Sequence, residues 1–137
     1  INPAFGNAGQ LLKQMIERVD FELLEPVMGR NDPYAEKLLF KTVEGFEIES
    51  VIIPMEAGAT LCVSSQVGCR MGCRFCETGR MGLVKNLTVK EIVAQVFYAQ
   101  NVVKAEVRNV VFMGMGEPFD NYEAVMQAFR VISDPRG

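Results

Sequence analysis

The chain has 137 residues, 49% of them hydrophobic, with 14 Lys and Arg against 17 Asp and Glu for a formal net charge of −3. That is enough apolar material for a core of ordinary single-domain size, and the charge argues against a generally basic nucleic-acid binder. No apolar run approaches the roughly 20 residues that cross a bilayer, so a soluble chain without a membrane partner is expected.

Leu11, Leu12, Met15, Ile16 and Val19 recur at helical spacing, with Lys13, Gln14, Glu17 and Arg18 on the other side, which predicts a short amphipathic helix. From Phe21 to Pro33 the sequence reads as irregular, punctuated by Pro26, Gly29 and Asn31-Asp32-Pro33. Lys37 to Val43 and Phe46 to Ile53 are β-prone runs joined at Glu44-Gly45, where glycine can take the positive φ of a tight hairpin. The hairpin is expected to cover one end of a domain that begins near Ala59. This divides the chain into an accessory segment, 1–58, and a second unit, 59–137.

Thr60-Leu61-Cys62-Val63-Ser64 reads as a buried strand that runs into a loop, Ser65-Gln66-Val67-Gly68. Thr88-Val89-Lys90-Glu91 has the form of a capping box, opening a helix that turns Ile92, Val93, Val96, Phe97 and Val103 toward a core. Asn109-Val110-Val111-Phe112-Met113 suits a parallel strand covered on both faces. Tyr122, Val125, Met126, Phe129 and Ile132 mark another amphipathic helix. Strand, helix, strand, helix is the rhythm of an α/β barrel or open parallel sheet, in which ligands gather at the carboxyl ends of the strands. The start on Ile1 and the stop at Ser133-Asp134-Pro135-Arg136-Gly137, directly after a helical pattern, lead us to expect a fragment.

Two loops at strand ends carry the chemistry. The first holds Cys69, Cys73 and Cys76 in the run Cys69-Arg70-Met71-Gly72-Cys73-Arg74-Phe75-Cys76. Three soft thiolates on one loop, in a chain with no histidine, suit a four-iron cluster with one iron left open for a ligand. Two other readings stand beside this one: a disulfide framework, disfavoured by the short spacers, and a zinc site completed by Cys62. Thiolates at a metal site need a reducing compartment, which points to the cytoplasm. The second loop is Gly114-Met115-Gly116-Glu117-Pro118, whose glycines would let backbone approach a ligand and whose carboxylate could accept hydrogen bonds from an ammonium group. A plain turn with Glu117 at a helix start is the simpler alternative. Between positions 70 and 90, Arg70, Arg74, Arg80, Lys85 and Lys90 face the lone acid Glu77, either as a solvated surface or as phosphate contacts.

The C-x-x-x-C-x-x-C spacing, with Phe75 before its last cysteine, resembles the signature of radical S-adenosylmethionine (SAM) enzymes. Thr60 to Cys69, then Cys73, Cys76 and Met113 to Pro118, together with Glu49 to Pro54 upstream, look like the RlmN/Cfr family of RNA adenine methyltransferases. The resemblance implies a partial radical SAM (βα) barrel preceded by an accessory helix and β-hairpin. It implies methylation of carbon 2, or in some members carbon 8, of an adenine in 23S ribosomal RNA, and in some members of an adenine beside the tRNA anticodon.

Carried onto this chain, the resemblance makes Cys69, Cys73 and Cys76 the ligands of a [4Fe-4S] cluster. Gly114, Gly116 and Glu117 would contact SAM, and Phe75 would line its adenine end. Cys62 would be the second catalytic cysteine, whose thiolate attacks a sulfur to release the product from a protein–RNA adduct. Glu49 would be the proton acceptor. From the residues alone Cys62 is a small buried hydrophobe and Glu49 a strand-surface acid. Also implied are a flavodoxin- or ferredoxin-type electron donor, a monomer and a disulfide bond. The methyl-carrying cysteine of the family belongs to its C-terminal region and is not among the four cysteines here. Glu77-Thr78-Gly79-Arg80-Met81-Gly82 departs from the serine- and threonine-rich stretch expected after the third cysteine.

Overall fold

The computed structural model describes residues 24–32 and 34–134, the side chains of 28–31 excepted, so the helix expected from Leu11 to Val19 lies outside the described residues. Alternation decides the first strands. In β3 (Glu47–Met55), Ile48, Ser50 and Ile52 are buried while Glu49 and Val51 turn to the other face. β2 (Ala35–Lys41) pairs with it antiparallel in the expected hairpin, turned at Gly45 with φ +89°. β1 (Glu25–Asp32) forms in the stretch read as irregular. It pairs antiparallel with β2 at the sheet edge, with a register shift between Pro26 and Met28. An edge strand with a bulge is where proline, lacking an N–H, is tolerated.

The hairpin does not cover the end of the next unit, as expected, but extends its sheet. β3 pairs antiparallel with β4 (Gly58–Cys62), and β4 pairs parallel with β7 (Val107–Val111), giving the order β1-β2-β3-β4-β7. Between β4 and β7 the chain makes a second, two-stranded sheet of β5 (Gln66–Cys69) and β6 (Gly82–Asn86), with the short helix α1 (Glu77–Met81) between them. The stretch Ser65 to Gly68, read as loop, is therefore largely strand. α2 (Val89–Asn101) starts at the expected capping box: the Thr88 hydroxyl accepts from the Glu91 N–H, and the Glu91 carboxylate from the Thr88 N–H. α3 (Tyr122–Ile132) follows a 3-10 turn, Pro118–Asn121.

The core lies on one face of the large sheet. Phe40, Ile48, Leu61, Val63, Leu87 and Ile92 are fully buried, and Phe40 meets Tyr98 of α2 edge-on with ring centroids 5.2 Å apart. Each such side chain contributes about 1.5–3 kcal/mol by leaving water. β7 is not covered on both faces: Arg108 and Asn109 are exposed.

One polar side chain is as deeply placed as any of these. Gln95 of α2 is 0% exposed, and its Oε1 accepts from the Ser50 hydroxyl (2.6 Å) and the Ser64 N–H (2.8 Å). Its Nε2 donates to the carbonyls of Ser64 (3.0 Å) and Glu91 (3.2 Å). An amide on a helix thus fixes β3 and the segment that follows β4 to that helix. Gln95→Leu keeps the size but strands the Ser64 N–H and the Ser50 hydroxyl, and should destabilise the protein by roughly 2–5 kcal/mol. Phe97→Ala, on the same helix but half-exposed, should cost much less. Denaturant midpoints at constant m-value test the difference.

Candidate active site

The parallel strands β4 and β7 end side by side; the glycine–glutamate loop leaves the end of β7, and residues 63–65 lead from the end of β4 into β5, which delivers the cysteine loop. Past β4, the Val63 N–H donates to the Val111 carbonyl (2.9 Å) and the Gly114 N–H to the Val63 carbonyl (3.1 Å). The Met115 carbonyl then accepts from the N–H groups of Ser65 (2.8 Å) and Gln66 (3.1 Å). Ser64 donates its hydroxyl hydrogen to the Glu49 carbonyl (2.6 Å) while accepting from the Met115 N–H (2.9 Å). Asn121 donates to the carbonyls of Ser65 and Leu87, both at 2.8 Å. Ser64, Ser65 and Gln66 are buried to 2% exposure or less, and among the described residues every buried side-chain N or O has a partner. The loop after β7 is stitched along its length to the segment that carries the cysteines.

This close docking is what the glycines serve. A Cβ on Gly114 would lie 2.7 Å from the Val63 carbonyl oxygen. One on Gly116 would lie 2.6 Å from Gln66 Cβ, and Gly116 has φ +102°, which side chains rarely adopt. Glu117 caps the 3-10 turn, its Oε1 accepting from the Phe119 N–H at 3.1 Å, so the residue stands at a helix start.

Of the cysteines, Cys69 at the end of β5 is buried, Cys73 is exposed and Cys76 is half-buried. The Cys76 N–H closes a turn on the Cys73 carbonyl (3.0 Å), and Phe75 between them is 93% exposed. All four cysteines are free thiols, which corrects the expected disulfide bond: Cys62 and Cys69 lie in different sheets, and Cys69 is buried where Cys73 is exposed. Among the described residues no three His, Cys, Asp or Glu side chains converge on a single-ion position. A four-iron cube holds its thiolates farther apart than one zinc ion does. Three free thiols on one loop, in a chain without histidine, are a donor set whose chemistry suits an iron–sulfur cluster.

Cys62 and Glu49 come together on one face. Cys62 lies opposite Val51 in the β3–β4 ladder, so by alternation Cys62, Val51 and Glu49 share the face turned away from the helices. Cys62 is half-buried; burial pushes its thiol up, and a hydrogen bond with the Met113 backbone pulls the other way. The Glu49 carboxylate pairs with Lys37 Nζ at 3.0 Å, both partly exposed.

The basic stretch is largely spoken for. Arg70 pairs with Asp120, Arg80 with Glu77, and Lys85 with both Glu44 (2.7 Å) and Glu91 (2.9 Å). Burial pulls the Lys85 ammonium down, but its hydrogen bonds to the two carboxylates outweigh this and leave its pKa raised, while Glu44 falls to about 2, chiefly through its hydrogen bond with Lys85. These cations act first as ties between elements. Sequence reasoning passed over Ser64, Gln66, Asp120 and Asn121. The available signal was three polar residues in a row between Val63 and Val67, too apolar a setting for a solvated loop.

The profile of the Radical SAM superfamily matches residues 63–136. The chain belongs to that superfamily. Over 137 residues, all of this chain, it is 54% identical to the probable dual-specificity RNA methyltransferase RlmN 1 of Protochlamydia amoebophila, and covers 38% of that protein. It is 47% identical over 139 residues to the probable dual-specificity RNA methyltransferase RlmN of Clostridium botulinum strain Alaska E43, covering 97% of this chain and 40% of that one. The crystal structure of a radical SAM methyltransferase from Sphaerobacter thermophilus superposes with a TM-score of 0.85 at 42% identity, over 93% of this chain and 39% of that one. The elements described are those of a partial radical SAM barrel, and the chain spans well under half the length of these relatives.

Gly116→Ala must meet both the positive φ and the Gln66 side chain and should lower stability by roughly 1–3 kcal/mol. Gly72→Ala, where φ is +63° but nothing lies within 4 Å, should cost less. Equal urea midpoints for the two would contradict the packing role given to Gly116.

Proposed function

We propose that this chain supplies the cluster- and SAM-binding part of a radical SAM RNA methyltransferase of the RlmN type, acting on an adenine of 23S ribosomal RNA, transfer RNA or both. The observation that carries the reading is the meeting of the two loops. The Gly-Met-Gly-Glu turn after β7 is hydrogen-bonded to residues 63–66 after β4, whose continuation through β5 carries the three free thiols, and Cys62 and Glu49 share one face of the large sheet.

In this reading Cys69, Cys73 and Cys76 would hold a [4Fe-4S] cluster that, when bound and reduced by a flavodoxin- or ferredoxin-type donor, would supply the electron for reductive cleavage of SAM, the radical chemistry that an adenine carbon too poor a nucleophile for polar methyl transfer requires. The chain's own groups do the rest. Gly114 and Gly116 bring backbone close enough to line the SAM site, and Glu117 offers its carboxylate to the SAM ammonium group. Exposed Phe75 supplies an apolar wall for the adenine end. Glu49 accepts the proton released when the adenine carbon regains its aromatic state. The Cys62 thiolate forms a new S–S bond with the sulfur that links protein to RNA; the carbon–sulfur bond breaks, its electron pair stays on the methylene carbon, and that carbon takes up a proton to become the methyl group of the product. Residues 1–58 and 59–137 divide the labour, β1 to β3 of the first extending the sheet of the second, and the working unit is a monomer. Among the described residues no helix is long and apolar enough to cross a membrane, in keeping with a cytoplasmic place of action.

Cys62→Ala in the whole enzyme tests the assignment. It should retain about four irons and four sulfides and still cleave SAM, but accumulate RNA covalently bound to protein, seen as a shifted band on denaturing gels. Methylated adenine released at the wild-type rate without adduct would reduce Cys62 to a packing residue. Stoichiometric zinc without labile sulfide would overturn the whole reading.

A further inference from the structure

The cluster loop and the Gly114–Glu117 loop are joined by a second connection, made through side chains. Asp120, in the 3-10 turn after Glu117, accepts from Arg70 Nε at 2.8 Å, and Arg70 directly follows Cys69. The same carboxylate oxygen, Oδ2, accepts from Gln66 Nε2 at 2.9 Å. Gln66 is 0% exposed and fully engaged: its other Nε2 hydrogen goes to Asn86 (2.8 Å), and its Oε1 accepts the Glu117 N–H (2.9 Å). An ordinary surface ion pair contributes little. This one differs, because the Asp120 side chain is only 19% exposed and its geometry is fixed by a buried amide.

We propose that Asp120 is a positioning residue that locks the three-cysteine loop to the glutamate loop, so that cluster and SAM each find the other's loop already ordered. The proposal rests on the reading of the site given above and adds coupling to it. Neither Asp120 nor Arg70 needs to touch a cofactor. Each loop loses conformational freedom when the link forms, and a ligand arriving at either then has less left to order. Breaking the link should weaken SAM binding without removing a SAM contact.

The test is a SAM titration of the reconstituted holoenzyme, followed by the spin-resonance spectrum of the reduced cluster. Asp120→Asn keeps the shape and can still accept from Gln66, but loses the charge that holds Arg70. Iron and sulfide content should stay at the wild-type level while the SAM concentration for half the spectral change rises about tenfold. Arg70→Leu, at a more exposed position that leaves Gln66 undisturbed, should give the same rise with an unchanged unfolding midpoint. The double variant should be no worse than either single one, because a broken link cannot be broken twice. An unaltered SAM response in either variant, or losses that add in the double variant, overturns the coupling. A wild-type spectrum indifferent to SAM overturns the site reading, and the coupling with it, so the two failures are distinguishable.

Discussion

The structure depends on a buried belt of hydrogen bonds built by three consecutive residues, Ser64, Ser65 and Gln66. Each presents backbone or side-chain groups that only a specific neighbour can satisfy: Gln95 on α2, Asn121 before α3, Met115 and Glu117 after β7, and the Glu49 carbonyl on β3. An apolar core would tolerate small slips of one element over another, whereas an unpaired amide in that setting costs about 1–3 kcal/mol. The belt therefore fixes where the two strand ends stand relative to each other, and with them the two loops.

That placement explains the composition of the loops better than ligand contact alone. Gly114 and Gly116 are required first by the protein, because their Cβ positions are occupied by Val63 and Gln66. Glycine at these positions brings the backbone of one loop onto the other. On the sheet face below, the β3–β4 register sets Cys62 and Glu49 on the same side, so the accessory strands contribute to the site. The antiparallel extension of the sheet through β3 is what makes this possible.

Much of this was legible in the sequence, for identifiable reasons. The capping box at Thr88, the hairpin turn at Gly45 and the parallel rhythm of β4, α2 and β7 rest on local chemistry, and local chemistry survives folding. The cysteine spacing and the glycine-glutamate turn are local as well. What escaped notice was set by distant partners. β1 reads as irregular because Pro26 suppresses strand propensity, and only its edge position beside β2 permits it. Ser65 to Gly68 reads as loop because its polar residues look solvated, when they are satisfied internally by Met115, Asn121 and Asp120. The basic stretch from Arg70 to Lys90 reads as a solvated face or as phosphate contacts, because the acidic partners of Arg70 and Lys85, Asp120 and Glu44, come from far along the chain. Pairings between residues some 40 to 50 positions apart leave no periodic trace.

Iron-edge anomalous diffraction from crystals of the reconstituted protein grown with SAM addresses the central claim most directly. The account predicts a compact group of about four iron peaks inside the Cys69–Cys76 loop, with the SAM ammonium group against Glu117 and the ligand on the sheet face that carries Cys62 and Glu49. A single zinc position, or SAM seated on the helix-covered face, would contradict it.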